Sequence, residues 1–203
     1  MLYDISRPIE PASAVFPGDT PFRADWTLRL EKGHSVNLST ITMSPHVGTH
    51  ADSFYHYDPH GAPIDEIPLE QFLGPCRVIE VEGDVTLDAL RGLDLAREER
   101  LLFRTARRVD YRLWEDDYPT LAPAAAAAMA KAGLKLVGID QPSVDKSDSK
   151  TLPAHHALGR GKVVNLENLD LTGVPEGRYE LLALPLKMKG LDGSPVRAVL
   201  RTL

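Results

Sequence analysis

With 203 residues, 43% of them apolar and 26% charged, the chain suffices for one substantial core and is short for two, so one domain over residues 1–203 is expected. A net charge of −6 argues against nucleic acid or an anionic membrane as partner. The single cysteine, Cys76, leaves no internal disulfide framework, and "MLYDISRPIEP" has neither the basic start nor the apolar run of a signal peptide. No stretch approaches the ~20 apolar residues that span a bilayer, so a cytoplasmic protein is expected.

In chain order, "ASAVFPGDTPF" reads as an ordered loop, because Pro17-Gly18 and Pro21 break regular structure. "RADWTLRL" and "SVNLSTITM", joined by "EKGHS", alternate as a two-stranded hairpin that leaves His34 in a solvated turn. A histidine-rich stretch begins at Pro45, and "APIDEIPLEQFLG" reads as irregular structure running into a short helix. "CRVIEVE" is a buried strand with Cys76 at its start, "TLDALRGL" a helix capped by Thr86, and "RLLFRT" another strand. "APAAAAAMAKAG" is a helix of small residues with Pro123 in its first turn and Gly133 at its C-terminal cap. "LKLVGID" is a buried strand, "QPSVDKSDSKTLPAHHALG" a long loop entering a helix, and "RYELLALPL" and "VRAVLRTL" are closing strands. Strands outnumber helices and repeatedly precede them, which predicts an α/β or α+β domain built on a mixed sheet.

The chemistry concentrates in "SPHVGTHADSFYHY". The chain holds seven histidines, and His46, His50, His56 and His60 share one fifteen-residue window around Asp52. Imidazole nitrogens and carboxylate oxygens are the ligands that zinc, manganese and similar divalent ions take from proteins. His46 and His50 are four apart, so a helix turn or a strand places both on one side. The residue after His46 is Val47, so the glutamate base of the H-E-x-x-H zinc-protease signature is missing. "LPAHHALGRGKVVNLENLDL" can bring further ligands from His155, His156 and Glu167. Such a set points to metal-assisted hydrolysis, in which the cation acidifies a water and polarises a carbonyl. No Gly-x-Ser-x-Gly elbow exists and no base neighbours Cys76 in sequence, so serine and cysteine nucleophiles are unsupported.

"HVGTHADSFYH" resembles the H-x-G-T-H-x-D-x-x-x-H signature of the metal-dependent cyclase family, and the chain is most similar to its bacterial kynurenine formamidases (arylformamidases). "FPGDTPF" resembles that group's P-G-D-T-P loop, and "VGIDQPSVDKSDSKTLPAHHAL" its second long motif, with Glu167 twelve residues after His155. The resemblance implies metal ligation by His46, His50, Asp52, His155 and Glu167, holding two zinc ions with Asp52 able to bridge them, manganese being possible. It implies proton transfer by His56, a swivelling β/β/α fold and a homodimer. The implied reaction is hydrolysis of N-formyl-L-kynurenine to formate and L-kynurenine in tryptophan catabolism. Phe16 stands where the family often has a pocket-lining tryptophan, which keeps an aromatic face for an aryl substrate but loses indole area and its N–H donor.

Two rival readings remain at this stage: a hydrolase of the same family acting on isatin or another cyclic amide or ester, and a non-catalytic metal-binding protein. Structural zinc sites are usually closed and cysteine-rich, whereas this set has no cysteine and an extra histidine, which favours catalysis. His60 and His156 read as surface or supporting histidines. Asp140, Ser143 and Asp145 lie where a strand opens into a loop, as binding groups or as loop caps. Tyr55 and Tyr57 are pocket walls or core.

Overall fold

Short apolar runs with period-two alternation build the centre of the molecule. A computed structural model describes residues 1–105 and 110–203. The strands are β1 (Leu2–Asp4), β2 (Arg23–Leu28), β3 (Leu38–Thr42), β4 (His50–Asp52), β5 (Leu73–Glu80) and β6 (Arg100–Arg104), followed by β7 (Leu136–Ile139), β8 (Val164–Glu167), β9 (Gly177–Leu182), β10 (Gly193–Pro195) and β11 (Val199–Thr202). The helices are α1 (Pro123–Ala132) and α2 (Pro153–Arg160). Among the described residues, nine strands form one sheet in the order β1-β11-β9-β5-β6-β7-β8-β4-β10, while β2 and β3 pair only with each other.

The four strands β5 to β8 run parallel, and antiparallel strands flank them on both sides. β10 and β11 lie at or near opposite ends of this order, yet only Val196, Arg197 and Ala198 separate them in the chain. The sheet must therefore curl until its ends approach. Cross-links at that seam bear this out: Ile5 N donates to Ala198 O, Asp170 N to Ile5 O, and Val196 N to Thr49 O. The architecture is the expected α/β arrangement, a curled mixed sheet with few helices.

Side-chain alternation divides the core into two layers. Leu102, Leu136, Val164 and Leu166 point into a cluster inside the curl, together with Ile5, Phe72, Leu181 and Leu200. Leu101, Phe103, Val137 and Ile139 point outward, against Met129 of α1 and Leu158 of α2. The alanine run does what small residues allow. Ala125 and Ala126 are fully buried, and the backbone of Gly161 approaches Ala130 so closely that a Cβ there would lie 2.7 Å from the alanine methyl. Gly133 takes φ +82° and caps α1 as expected.

Three regions differ from the sequence reading. "TLDALRGL" forms only one 3₁₀ turn, Asp88–Leu90, because Thr86 Oγ1 takes the Asp88 amide at 3.3 Å and Gly92 breaks the chain at φ +81°. A segment that short cannot repay helix nucleation. "APIDEIPLEQFLG" holds two 3₁₀ turns, Ile64–Glu66 and Leu69–Gln71, rather than an α-helix. The strands β1, β4 and β10, three residues each, are too short to announce themselves by periodicity. Among the described residues, no helix is long and apolar enough to cross a membrane.

Gly138 in β7 tests the packing inside the curl. A Cβ there would come within 2.5 Å of Leu102 Cδ2 and 2.7 Å of Leu169 Cδ1, both residues fully buried. Gly138→Ala should cost about 1–3 kcal/mol through overpacking, read as a lower urea midpoint at unchanged m-value.

Candidate metal centre

The site begins with strand register. β4 and β8 are antiparallel, with His50 opposite Glu167 and Ala51 opposite Leu166. Ala51 and Leu166 enter the inner cluster, so His50, Asp52, Asn165 and Glu167 project together on the helix-bearing face. Glu167 is the last residue of parallel strand β8, and ligands in such sheets bind at carboxyl ends of strands. His46 comes from the turn before β4, and His155 from the buried side of α2.

The small residues between His46 and His50 now have reasons. Gly48 takes φ +69°, and a Cβ on it would lie 2.7 Å from Ile9 Cγ1. Thr49 Oγ1 donates to Asn168 O at 2.6 Å and accepts from Arg7 N at 2.8 Å, tying the start of β4 to the end of β8.

Hydrogen bonds fix which nitrogen of each imidazole faces the site. His50 Nδ1 donates to Gly48 O at 2.9 Å, and His155 Nδ1 to Asp145 Oδ2 at 2.8 Å, so both present Nε2. His46 is reversed: Nε2 donates to Asp192 Oδ2 at 3.0 Å, and Nδ1 faces Asp52 Oδ1 at 2.9 Å. His50 Nε2 lies 3.3 Å from that same oxygen and 3.5 Å from Glu167 Oε2. His155 Nε2 lies 3.3 Å from Asp52 Oδ2 and 3.4 Å from Glu167 Oε1. The structure thus brings all five expected ligands together, from three separate stretches of chain.

These residues fit a divalent cation. Asp52 Oδ1 is buried and, despite its two close imidazoles, makes no hydrogen bond. A cation among these atoms would satisfy it. Two triads, His46–Asp52–His56 and His50–Asp52–Glu167, each bring three ligand atoms within 4.8 Å of one another and share Asp52. Asn165 Nδ2 donates to Asp52 Oδ2 at 2.7 Å and to Glu167 Oε1 at 3.0 Å, and Val144 N holds Glu167 Oε1 at 2.9 Å.

The electrostatics say the same. Burial alone would depress His46, but the carboxylates of Asp192 and Asp52 outweigh it and lift the imidazole to about 10. Burial likewise opposes protonation of His50, yet Asp52 and Glu167 raise it to about 9. Burial pushes Asp52 up, but His155, His46 and His50 hold it well below the usual carboxylate range. The carboxylates thus favour positive charge at this group of imidazoles.

His56 sits on the solvent side of this group, its side chain 33% exposed and Nδ1 3.4 Å from Asp192 Oδ2. Its ring centroid is 4.3 Å from that of His46. Asp145 acts as a cap, taking the Ala154 and His155 amides at the start of α2 while orienting the His155 ring. Asp140 is hydrogen-bonded to Thr105, and Ser143 Oγ donates to Glu167. Tyr57 packs beside His155, His156 and the bare Cα of Gly159. His60, His34 and Tyr55 are exposed. Sequence reading missed Asp192, Asn165 and Gly193. The last carries no Cβ because one would lie 2.9 Å from the His46 ring.

A cavity of about 330 Å³ opens onto the imidazoles of His46, His50, His56 and His155. Phe16 lines it, edge-to-face with Trp114 at 5.6 Å. An indole therefore does reach the pocket, from a different segment, with its N–H bonded to Asp116.

The family model described as "Putative cyclase" matches residues 3–146. This chain belongs to the cyclase family. Among its relatives is a kynurenine formamidase of Paracidovorax citrulli (strain AAC00-1), 48% identical over 209 residues that cover 100% of this chain and 97% of the relative. A solved structure described as a "predicted metal-dependent hydrolase" from Bacillus stearothermophilus is 30% identical, with TM-score 0.85 over 98% of this chain and 97% of that one. Isatin hydrolase A from Labrenzia aggregata, bound to benzyl benzoate, is 25% identical, with TM-score 0.80 over 98% of this chain and 93% of that one. The cyclase fold and the donor set of this chain agree on a divalent metal.

Two outcomes test the centre. Asn165→Leu removes the amide shared by Asp52 and Glu167 and should weaken metal affinity roughly 10- to 100-fold, the usual worth of such supporting bonds, in a competition titration against a chromophoric chelator. Second, protons on His46 and His50, held up to about 10 and 9, must leave when a cation binds. Zinc affinity should therefore rise with pH between about 6 and 8, with net proton release seen by calorimetry in buffers of different ionisation enthalpy. Binding without proton release would mean these imidazoles are neutral in the metal-free protein.

Proposed function

We propose that residues 1–203 form a single cyclase-like hydrolase domain that hydrolyses N-formyl-L-kynurenine to L-kynurenine and formate, a step of tryptophan catabolism by the kynurenine pathway. The observation that carries this reading is an open, aromatic-lined cavity ending on the buried His/Asp/Glu cluster, in a chain 48% identical along its length to a protein named kynurenine formamidase. The cluster is open and lacks cysteine, unlike a structural zinc site.

His46, His50, Asp52, His155 and Glu167 hold the metal, which we assign as zinc with manganese as the second candidate. Two ions per subunit are supported by Asp52, whose Oδ1 faces His46 and His50 while Oδ2 faces His155. Bound there, the divalent cation supplies an acidified water and a polarised carbonyl. Phe16 and Trp114 provide aromatic faces for the aryl ring. His56 takes a proton from water as the new C–O bond forms, and gives it to the aryl amine nitrogen as the C–N bond breaks. An imidazole suits both transfers because its ordinary pKa is about 6.5. Burial of His50, His155 and Glu167 excludes bulk water from the inner side, while the exposure of His56 lets its proton exchange with solvent.

The exposed apolar residues of the β2–β3 hairpin, Trp26, Leu38 and Ile41, support a homodimer in which a second copy covers them. An isolated hairpin is marginal in water. The protein is assigned to the cytoplasm.

The decisive assay sets N-formylkynurenine beside isatin and simple aryl formamides, using zinc-loaded protein. Preference for isatin would replace this substrate with a cyclic amide, and absence of all turnover would leave a binding protein. His56→Ala should keep its metal and lose roughly 10²- to 10⁴-fold in turnover. Metal loss in that variant would make His56 a ligand of the His46–Asp52 group instead.

A further inference from the structure

Among the described residues, one arginine and one lysine line the catalytic cavity, Arg7 and Lys146. Lys146 is already committed. Its ammonium donates to Asp117 Oδ1 at 3.0 Å and to Tyr118 O at 2.6 Å. Arg7 is in a different condition. Its Nη2 donates to Asp140 O at 2.5 Å, but Nε is buried with no hydrogen-bond partner, and no carboxylate among the described residues lies within ion-pairing distance. Burial pushes the guanidinium down to about 10, against the more distant charges of Asp140 and Asp170, so it stays charged at neutral pH.

Arg7 is also fixed in place. Its amide donates to Thr49 Oγ1, one residue from His50, which links its position to the metal cluster. Its side chain lines both the catalytic cavity and a second cavity of about 290 Å³, which also share Leu113, Tyr118 and Pro142 as walls. A substrate reaching past the aryl pocket meets this guanidinium at the shared wall. A half-buried, charged fork whose Nε has no partner among the described residues is complementary to a carboxylate, a group that guanidinium takes in two parallel hydrogen bonds.

We propose that Arg7 is a specificity-determining residue that receives the carboxylate of the substrate's amino-acid side chain, while the formamide end lies at the imidazole cluster. This rests on the formamidase reading above and deepens it: the preferred substrates are aryl formamides carrying an α-carboxylate, and those lacking it are discriminated against.

The test compares N-formyl-L-kynurenine with N-formylkynuramine, the same aryl formamide without the carboxylate, on zinc-loaded wild type, Arg7→Gln and Arg7→Lys. In Arg7→Gln the ratio of kcat/KM for the two substrates should fall roughly 10- to 100-fold, mainly through KM, as expected for a lost hydrogen bond between charged groups. Arg7→Lys should recover part of that ratio. Equal losses on both substrates, or an unaltered ratio, would overturn the proposal and leave Arg7 a structural residue. A readout independent of turnover is calorimetric binding of the product, L-kynurenine, against kynuramine. If wild type hydrolysed neither formamide, the formamidase reading would fail by itself. Arg7 would then be judged on binding alone: weaker kynurenine binding by Arg7→Gln, with no like change for kynuramine, sustains the carboxylate role, and equal binding ends it.

Discussion

Asp52 and Glu167 are 1% and 4% exposed and belong to one cluster, and the free energy of removing both carboxylates from water governs the arrangement around them. Such desolvation costs several kcal/mol per ion and is recovered only by close opposite charge and full hydrogen bonding. Among the described residues, no lysine or arginine pairs with either carboxylate. The compensating groups are His46, His50 and His155, with the amide of Asn165 spanning both acids. Imidazoles can exchange a proton for a metal, whereas a lysine or arginine partner would lock the site as a salt bridge. The same charge demand that lifts His46 and His50 suits the cluster to a divalent cation.

This arrangement depends on the curl of the sheet. His50 and Glu167 meet because β4 pairs antiparallel to β8, and Asp192 reaches His46 because β10 adds to the outer side of β4. The chain then crosses the seam from β10 to β11 in three residues, Val196 to Ala198. The loops after β7 and β8 close the other side, with Val144 holding Glu167 and Asp145 holding both His155 and the start of α2. One buried carboxylate, Asp145, thus serves helix capping and metal-site tautomer control together.

Much of this was legible in the sequence, and the physical reason differs by part. The parallel strands announced themselves as apolar runs, and α1 by alanine, Pro123 and Gly133. His46, His50 and Asp52 stood out because imidazole and carboxylate rarely crowd together without a ligand to hold, whereas His155 and Glu167 were singled out by the family resemblance. Asp192 and Asn165 carried no such signal. Asp192 belongs to the site only through the β10–β4 pairing, and β10 has three residues with no periodicity to read. Asn165 sits in "VVNLE", where strand alternation could have flagged a polar residue two before Glu167, but its bridging role needs the β4 register. Trp114 lies almost a hundred residues from Phe16, so their edge-to-face contact is invisible to local pattern. The helix expected after Thr86 failed for the opposite reason: local propensity was present, but too few residues followed to sustain it.

The division of labour that results explains how one scaffold can serve several hydrolases. The imidazole and carboxylate atoms of the cluster come from β4, β8, α2 and the tight turn at Gly48, all tied by backbone pairing or buried hydrogen bonds. The cavity's outer walls come from loops, Phe16 before β2 and Trp114 after β6, held to one another by ring contacts. Rigid elements hold reacting groups to the tolerance that chemistry needs, and loops vary without disturbing them. Phe16 stands on such a loop, apart from the imidazole and carboxylate atoms of the cluster. The sheet curl fixes what the cluster can do, and the loops choose what it is done to.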